Sequence, residues 1–576
     1  LLNSAGLLRD KAEKAKSNWP TGVYQQNARL FNKRGTSNEA PYFWLMLKKG
    51  DTKLIRAWTF YDWANSVYPL VISSAIFPIF YEKITKHDLG GVIHVFGSQF
   101  TNTEFFSYVA ALSYLIVAAS SPVLSGIADY SGRKKRFLQF FCFLGAISCM
   151  LLSLFNTTHI GWSMTALLFA SVGYWGSLVF YNAYLPEIAE PEDQDRVSAK
   201  GFSMGYIGSS LLLIAILVLA VFTHIIPDVK YSFLLVGLWW IGFAQITFRR
   251  LPKAHNVHAK SEGNIITKGY SELNKVFKDI LKRKQLRRFL GSYFMYNMGV
   301  QTVMIMAVLF ATKAIDWQSP GDIETAIHNV QTDTSATRIT ISPELMTINS
   351  ADIHADVDGL IKLNRTLPDT LSESSQKRET LRNISLLQSD IKPGSPSMEL
   401  RKGTDYPAYL EKVYEEADKL ADGHKTQSLI ISILLIQFLG VAGAVLMSRL
   451  SKIFGNLKTI GFVIFLWIII CYSTWQLVYR PIGFYVVAAS VGLVMGGIQS
   501  LSRSTYSKML PETEDHASYF SFFDVSEKIG LAIGTTTFGL IEGITGGIRN
   551  SVLSLIVTFA IGFLLLLRVP KSETVK

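Results

Sequence analysis

Apolar runs of about 20 residues recur along this chain, each closed by a polar or basic stretch, and about 20 such residues is what a helix needs to cross a bilayer. Sliding that requirement along the 576 residues predicts twelve spans. They fall at about 57–81, 104–127, 136–155, 161–184, 201–223 and 231–249, then at 288–314, 428–450, 457–477, 481–502, 519–541 and 549–568. Six precede the basic stretch 251–287 and six follow it. The expected fold is all-α and polytopic, two six-helix bundles with an extramembrane insert after helix 7. The expected divisions are an N-terminal extension (1–56), a first bundle (57–250), a basic linker (251–287), helix 7 (288–314), an acidic insert (315–427), helices 8–12 (428–568) and a tail (569–576).

The first span opens FYDWANSVYPL at 60–70. Polar groups at such depth are costly unless they face protein or a water-filled path, so this stretch marks a candidate solute route. Trp58 and Trp63 lie where an interfacial aromatic belt is expected.

Charge then orients the chain. Hydrophobic residues make up 49% and charged residues 17%, a balance that suits lipid better than a soluble surface. The formal charge of +12 gathers in alternate loops, with Arg133, Lys134, Lys135 and Arg136 after the second span and Arg249 to Arg288 in the linker. That is membrane topology with both termini cytoplasmic, not a nucleic-acid surface. Cys142, Cys149 and Cys471 lie in apolar runs and fit neither a disulfide framework nor a metal site. Residues 1–45 lack a signal-peptide core, and Met46 begins a natural lead-in to the first span, so that stretch reads as a flexible extension or upstream translated sequence. The insert faces outside by this topology, with a helical pattern at 409–423 and glycosylation-type triplets at Asn364 and Asn383.

The two halves echo each other. Leu-Pro-Glu ends both the fourth span (185–187) and the tenth (510–512), where proline stops the helix and the acids are expected in water. Gly201-xxx-Gly205 and Gly530-xxx-Gly534 follow, a spacing that lets helix backbones approach closely. FYDWANS (60–66) is matched by FMYNMGVQ (294–301), pairing Tyr61-Asp62 with Tyr296-Asn297. Parallel repeats of six spans are the layout of transporters with a site between the halves.

GIADYSGRKKR (126–136) resembles the loop signature of the major facilitator superfamily, in which Asp129 meets a neighbouring helix end or cation and Arg133 belongs to the basic anchor. WTFYDWANSVYPLVISSAIFPIFY (58–81), VFYNAYLPEIA (179–189), YNMGVQT (296–302), GGIQSLSRSTYSKMLPE (496–512) and YFSFFDVSEKIG (519–530) are similar, in order, to the autophagy-related protein 22 family and its bacterial relatives. Met298 departs from that pattern, where an acid is expected. The resemblance implies the major facilitator fold, solute efflux by alternating access, an amino acid as solute, and a cavity lined by the first, fourth, seventh and tenth spans.

Tyr61, Asn65, Tyr181, Asn182, Tyr296, Asn297, Gln301 and Gln499 are then the candidate cavity residues. Asp62, Asp129, Arg133, Arg503, Asp524, Glu527 and Lys528 are the candidates for coupling or gating, with Arg503 as partner to an acid of the eleventh span. Asp524 and Lys528 share a helix face. No nucleotide-binding loop of the form G-x-x-x-x-G-K-[ST] occurs, and neither enzyme, cofactor nor metal is expected. The expected partners are a small polar solute, protons as coupling ion and the lipid bilayer, with the chain a monomer in a bacterial inner membrane or a vacuolar or lysosomal one. The alternatives are a non-transporting receptor or scaffold using the insert, or a lipid transporter.

Overall fold

The computed structural model describes residues 49–95, 97–222, 228–252, 265–315, 317, 325, 406–513, 515–545 and 547–570. The expectations for 1–45, Asn364 and Asn383 lie outside these residues. Twelve long helical spans run among the described residues: Thr52–Leu89, Glu104–Ser131, Lys134–Leu154, Thr157–Ile188, Gln194–Ala220, Tyr231–Arg250, Lys284–Ala314, Lys419–Phe454, Asn456–Leu477, Pro481–Lys508, His516–Thr545 and Ile548–Leu567. Eleven meet length and hydropathy limits for crossing a membrane. The exception is the eleventh span, whose Asp524, Glu527 and Lys528 are its most polar stretch.

The first span shows how local sequence shapes a membrane helix. Asp51 caps it by accepting a hydrogen bond from the Lys53 N–H at 2.8 Å. Pro69 cannot donate to the carbonyl of Asn65, and its ring crowds that position. There the helix widens into a π-helical segment, Tyr68–Ala75, before resuming at Ile76. A short antiparallel hairpin, Val92–Val95 with Ser98–Thr101, links this span to the second. The second span is closed by Gly132 at φ +62°, a conformation suited to glycine, and the third starts two residues later. The eighth helix begins at Tyr406, so the helical pattern at 409–423 is continuous with that span.

Without a hydrophobic drive between helices in lipid, close packing and polar contacts hold a bundle together. Glycines supply the close approach. A Cβ at Gly201 would lie 2.2 Å from Asp62 Oδ2, and one at Gly205 would lie 2.4 Å from Ser66 Oγ. In the second half, a Cβ at Gly534 would lie 2.1 Å from Thr302 Oγ1. The fifth span thus presses on the first as the eleventh presses on the seventh. Across the junction of the halves, the second span packs on the eleventh and the fifth on the eighth. The loops rich in Lys and Arg, with Lys134, Lys284 and Lys508, define one end of the bundle, its basic end.

Candidate functional site

Asp62 lies ten residues into the first span, about 15 Å along its axis at 1.5 Å per residue. It is 5% exposed and faces Arg503 of the tenth span, itself 3% exposed, with 3.4 Å between the charged atoms. Tyr181 O–H donates to the same Asp62 oxygen at 2.7 Å. The guanidinium donates through Nε to Ser198 Oγ and through Nη2 to Ser198 O, both at 2.9 Å, and through Nη1 to Asn182 Oδ1 at 3.3 Å. It also lies 4.3 Å from the ring centre of Phe202 and 4.9 Å from that of Trp58. Every one of these partners belongs to the first half. A buried charge survives only with such pairing, so Arg503 acts as a clasp between halves.

Three further polar contacts cross the junction nearer the basic end. Asp129 accepts from Ser518 N–H at 2.7 Å and Ser518 O–H at 2.9 Å, capping the first turn of the eleventh helix where free N–H groups and the helix dipole favour a carboxylate. Glu187 accepts from Lys134 and sits 3.2 Å from His516 Nδ1. Asp195 accepts from Lys508 Nζ at 2.7 Å, Asn456 Nδ2 at 2.7 Å and Ser451 O–H at 3.0 Å. The basic end is therefore closed by pairs that join the two halves.

A second polar cluster lies deeper. Lys528 is twelve residues past His516, about 18 Å along the helix. It is 1% exposed, and its ammonium lies 3.2 Å from both Asp524 Oδ1 and Glu527 Oε1. It also stands 3.4 Å from the ring centre of Trp175, on the fourth span of the other half. Glu527 accepts from Tyr293 O–H at 2.9 Å and Gln301 Nε2 at 3.3 Å. Tyr293, Asn297 and Gln301 are spaced by four, one face of the seventh span, so Asn297 shares their side. Tyr206 of the fifth span donates to Gln499 of the tenth at 2.8 Å. Asp524 Oδ2, Asn297 Nδ2 and Asn65 Nδ2 are buried with no protein partner. Buried polar atoms of this kind are the ones a polar ligand can satisfy.

The candidate residues divide between these clusters and the cores. Asp62, Tyr181, Asn182 and Arg503 come together in the clasp; Asn297, Gln301, Asp524, Glu527 and Lys528 gather in the deeper cluster; Gln499 joins Tyr206; Asp129 caps the eleventh helix. Tyr61 is a correction: it is fully buried within the first half, 5.0 Å from the Tyr181 ring and 6.2 Å from that of Phe248. Neighbouring helix positions lie about 100° apart, so when Asp62 faces the junction Tyr61 turns into its own bundle. Tyr296 does the same in the second half, where its hydroxyl pairs with Ser502 Oγ at 2.8 Å. Arg133 is exposed, and the adjacent Lys134 is the buried cation. Arg503 meets Asp62 and not an acid of the eleventh span. Trp58 is fully buried beneath Arg503 and outside any interfacial belt. Glu187 is engaged rather than solvated, whereas Glu512 of the second Leu-Pro-Glu is exposed. Sequence reasoning missed Tyr206, Ser198, Asp195 and His516. Tyr206 could have been found from its place beside Gly205 on the close-packed face.

A separate, partly open cavity of about 70 Å³ lies in the second half, lined by Phe310, Trp467, Phe484 and Phe538 among others, with Thr474 its sole hydroxyl. No polar groups converge there.

Twelve spans in two repeated halves, joined at one end by polar pairs, are the layout of a multi-pass membrane transporter, and the family and relative that the chain matches make it a secondary transporter of the major facilitator type. The solved structure of the human organic anion transporter MFSD10 (TETRAN) matches with a TM-score of 0.50 at 10% identity, covering 90% of this chain and 100% of that one, a likeness of fold alone. The family described as "Vacuole effluxer Atg22 like" matches residues 50–337 and 421–575, and the chain belongs to it. An "Uncharacterized MFS-type transporter YxiO" of Bacillus subtilis (strain 168) is 25% identical over 92% of this chain and 97% of its own length. "Autophagy-related protein 22" of Coccidioides immitis (strain RS) is 22% identical over 45% of this chain and 59% of its own.

Proposed function

We propose that this transporter exports a small zwitterion, an amino acid, by rocking its two halves about the Lys528 cluster. The observation that carries the reading is the Lys528 ammonium, held by two acids of the second half against Trp175 of the first. A solute ammonium reaching Asp524 Oδ2 competes with Lys528 for the acids, while its carboxylate meets the amides of Asn65 and Asn297. Lys528 then loosens from Trp175, one link between the halves weakens, and the clasp at Arg503 and the pairs at the basic end are the remaining barriers to opening there. By the positive-inside rule that end is cytoplasmic. Glu527, at mid-depth and hydrogen-bonded by Tyr293 and Gln301, is the proton carrier of the coupled cycle. The family description as vacuole effluxers supports solute transport as the activity. The rocking bodies are 57–250 on one side and 288–314 with 428–568 on the other, within a monomer.

Purified protein in liposomes loaded with mixed labelled amino acids, with and without a pH gradient, tests this reading. Counterflow of at least one amino acid is expected, with the pH effect lost in Glu527→Gln. Absence of counterflow for every amino acid would remove the proposal.

A further inference from the structure

We propose that the linker helix Ile265–Lys282 lies in the membrane interface and binds anionic lipid headgroups, holding the basic end closed from the lipid side. Its residues sort into three stripes at about 100° per residue. Leu273, Val276 and Ile280 form the first, with Val276 2% and Ile280 5% exposed against the bundle. Tyr270, Phe277 and Leu281 form the next, at 63%, 46% and 44% exposed. Lys275, Lys278 and Lys282 form the third, all at the surface.

The middle stripe is as exposed as span residues such as Leu112 (49%) and Phe140 (59%), so it continues the apolar belt of the bundle. Its depth follows from Phe277, whose ring lies 5.7 Å from that of Phe522. Phe522 is six residues, about 9 Å, from the start of the eleventh helix, so the stripe meets the bundle near the basic end of that span. Exposed Lys284 and Arg287 extend the basic stripe beyond the helix. The two acids of the helix do not cancel this charge: Lys268, Lys275, Lys278 and Lys282 outnumber Glu272 and Asp279, and Asp279 is taken by Tyr519 O–H at 2.5 Å and by Arg283. Apolar side chains below and lysines above are complementary to an anionic leaflet, not to water or to a neutral protein face. The helix packs on the second span of one half and the eleventh of the other, so lipid drawn to it favours the arrangement in which those two spans meet.

The three native cysteines are buried, so an added surface cysteine takes a dye selectively. Full-length Tyr270→Cys and Ser271→Cys proteins, each carrying an environment-sensitive dye, are placed in phosphatidylcholine vesicles with increasing phosphatidylglycerol. Doxyl-labelled lipid should quench the dye at 270 at least threefold more than at 271, increasingly so with phosphatidylglycerol. Lys278→Gln with Lys282→Gln, both exposed, should raise the half-saturating phosphatidylglycerol fraction at least fivefold with the protein still monodisperse. Equal lipid quenching at the two sites, or no dependence on phosphatidylglycerol, would overturn the proposal. So would protection of the 270 dye in detergent together with a dimer's mass, since a second copy would then cover the stripe.

Discussion

Replacing Arg503 by Gln tests the clasp directly. Both charged side chains are under a tenth exposed, so removing one strands the other in a low-dielectric site at a cost of about 3–5 kcal/mol. That cost falls on the arrangement closed at the basic end, because opening returns Asp62 to water. At about 1.4 kcal/mol per tenfold, the closed state loses roughly 100- to 4,000-fold in population relative to the open one. Ser507, one turn from Arg503 on the same face and buried, is a suitable reporter position. In Ser507→Cys protein, a membrane-impermeant maleimide added at the basic side should label slowly. Adding Arg503→Gln should speed labelling at least tenfold, until the intrinsic reaction rate limits it. Asp62→Asn combined with Arg503→Gln removes both charges and should restore much of the protection. Gly201→Ala should act in the same direction as Arg503→Gln, since its Cβ would lie 2.2 Å from Asp62 Oδ2 and 2.9 Å from Arg503 Nη2. Labelling of Arg503→Gln at the parent rate would refute the clasp.

Lys528→Met leaves Asp524 and Glu527 buried without their cation, so counterflow should fall to background while size-exclusion chromatography still shows folded protein; unchanged counterflow would contradict a central role for the cluster. Tyr61→Phe alters only the first-half core, and transport should stay within about twofold of wild type, whereas Tyr181→Phe, which loses the bond to Asp62, should label at Ser507→Cys faster. Burial pushes the Asp279 carboxyl up, but hydrogen bonds from Tyr519 and Arg283 and the nearby charges of Arg283 and Lys282 outweigh it and hold it below the usual aspartate range. Its contribution to linker-helix docking is therefore present above that range and lost as pH falls through the lowered value. Hydrogen exchange of 265–282 should stay protected at pH 5 and lose protection below about pH 4.

Much of the architecture was legible because lipid imposes a simple rule, about 20 apolar residues per crossing. The charge cluster in the eleventh span was legible too, since Asp524 and Lys528 at a spacing of four declare their own pairing. Facing was harder. Tyr61 and Asp62 are adjacent and both polar enough for a cavity, and only packing on Gly201 decides which one meets the junction. Partners distant in sequence were the least accessible. Arg503 lies 441 residues from Asp62, and nothing local to either prefers that pair over Arg503 with Glu527. Arg133 and Lys134 show the same limit at one position's distance, because the turn at Gly132 sets which cation points inward.

The eleventh span also bears on how the chain enters the membrane. Each ionised side chain at the centre of a lone helix opposes insertion by about 2.5–3.5 kcal/mol, and this span carries three. Contacts of Lys528 with Asp524 and Glu527 offset part of that penalty within the helix, but the other donors to Glu527, Tyr293 and Gln301, lie on the seventh span. The eleventh span is thus a poor passenger by itself during synthesis and a good one once the seventh is in place. The groups that make the centre polar also order the assembly of the second half, so that its last steps wait for a helix made more than two hundred residues earlier.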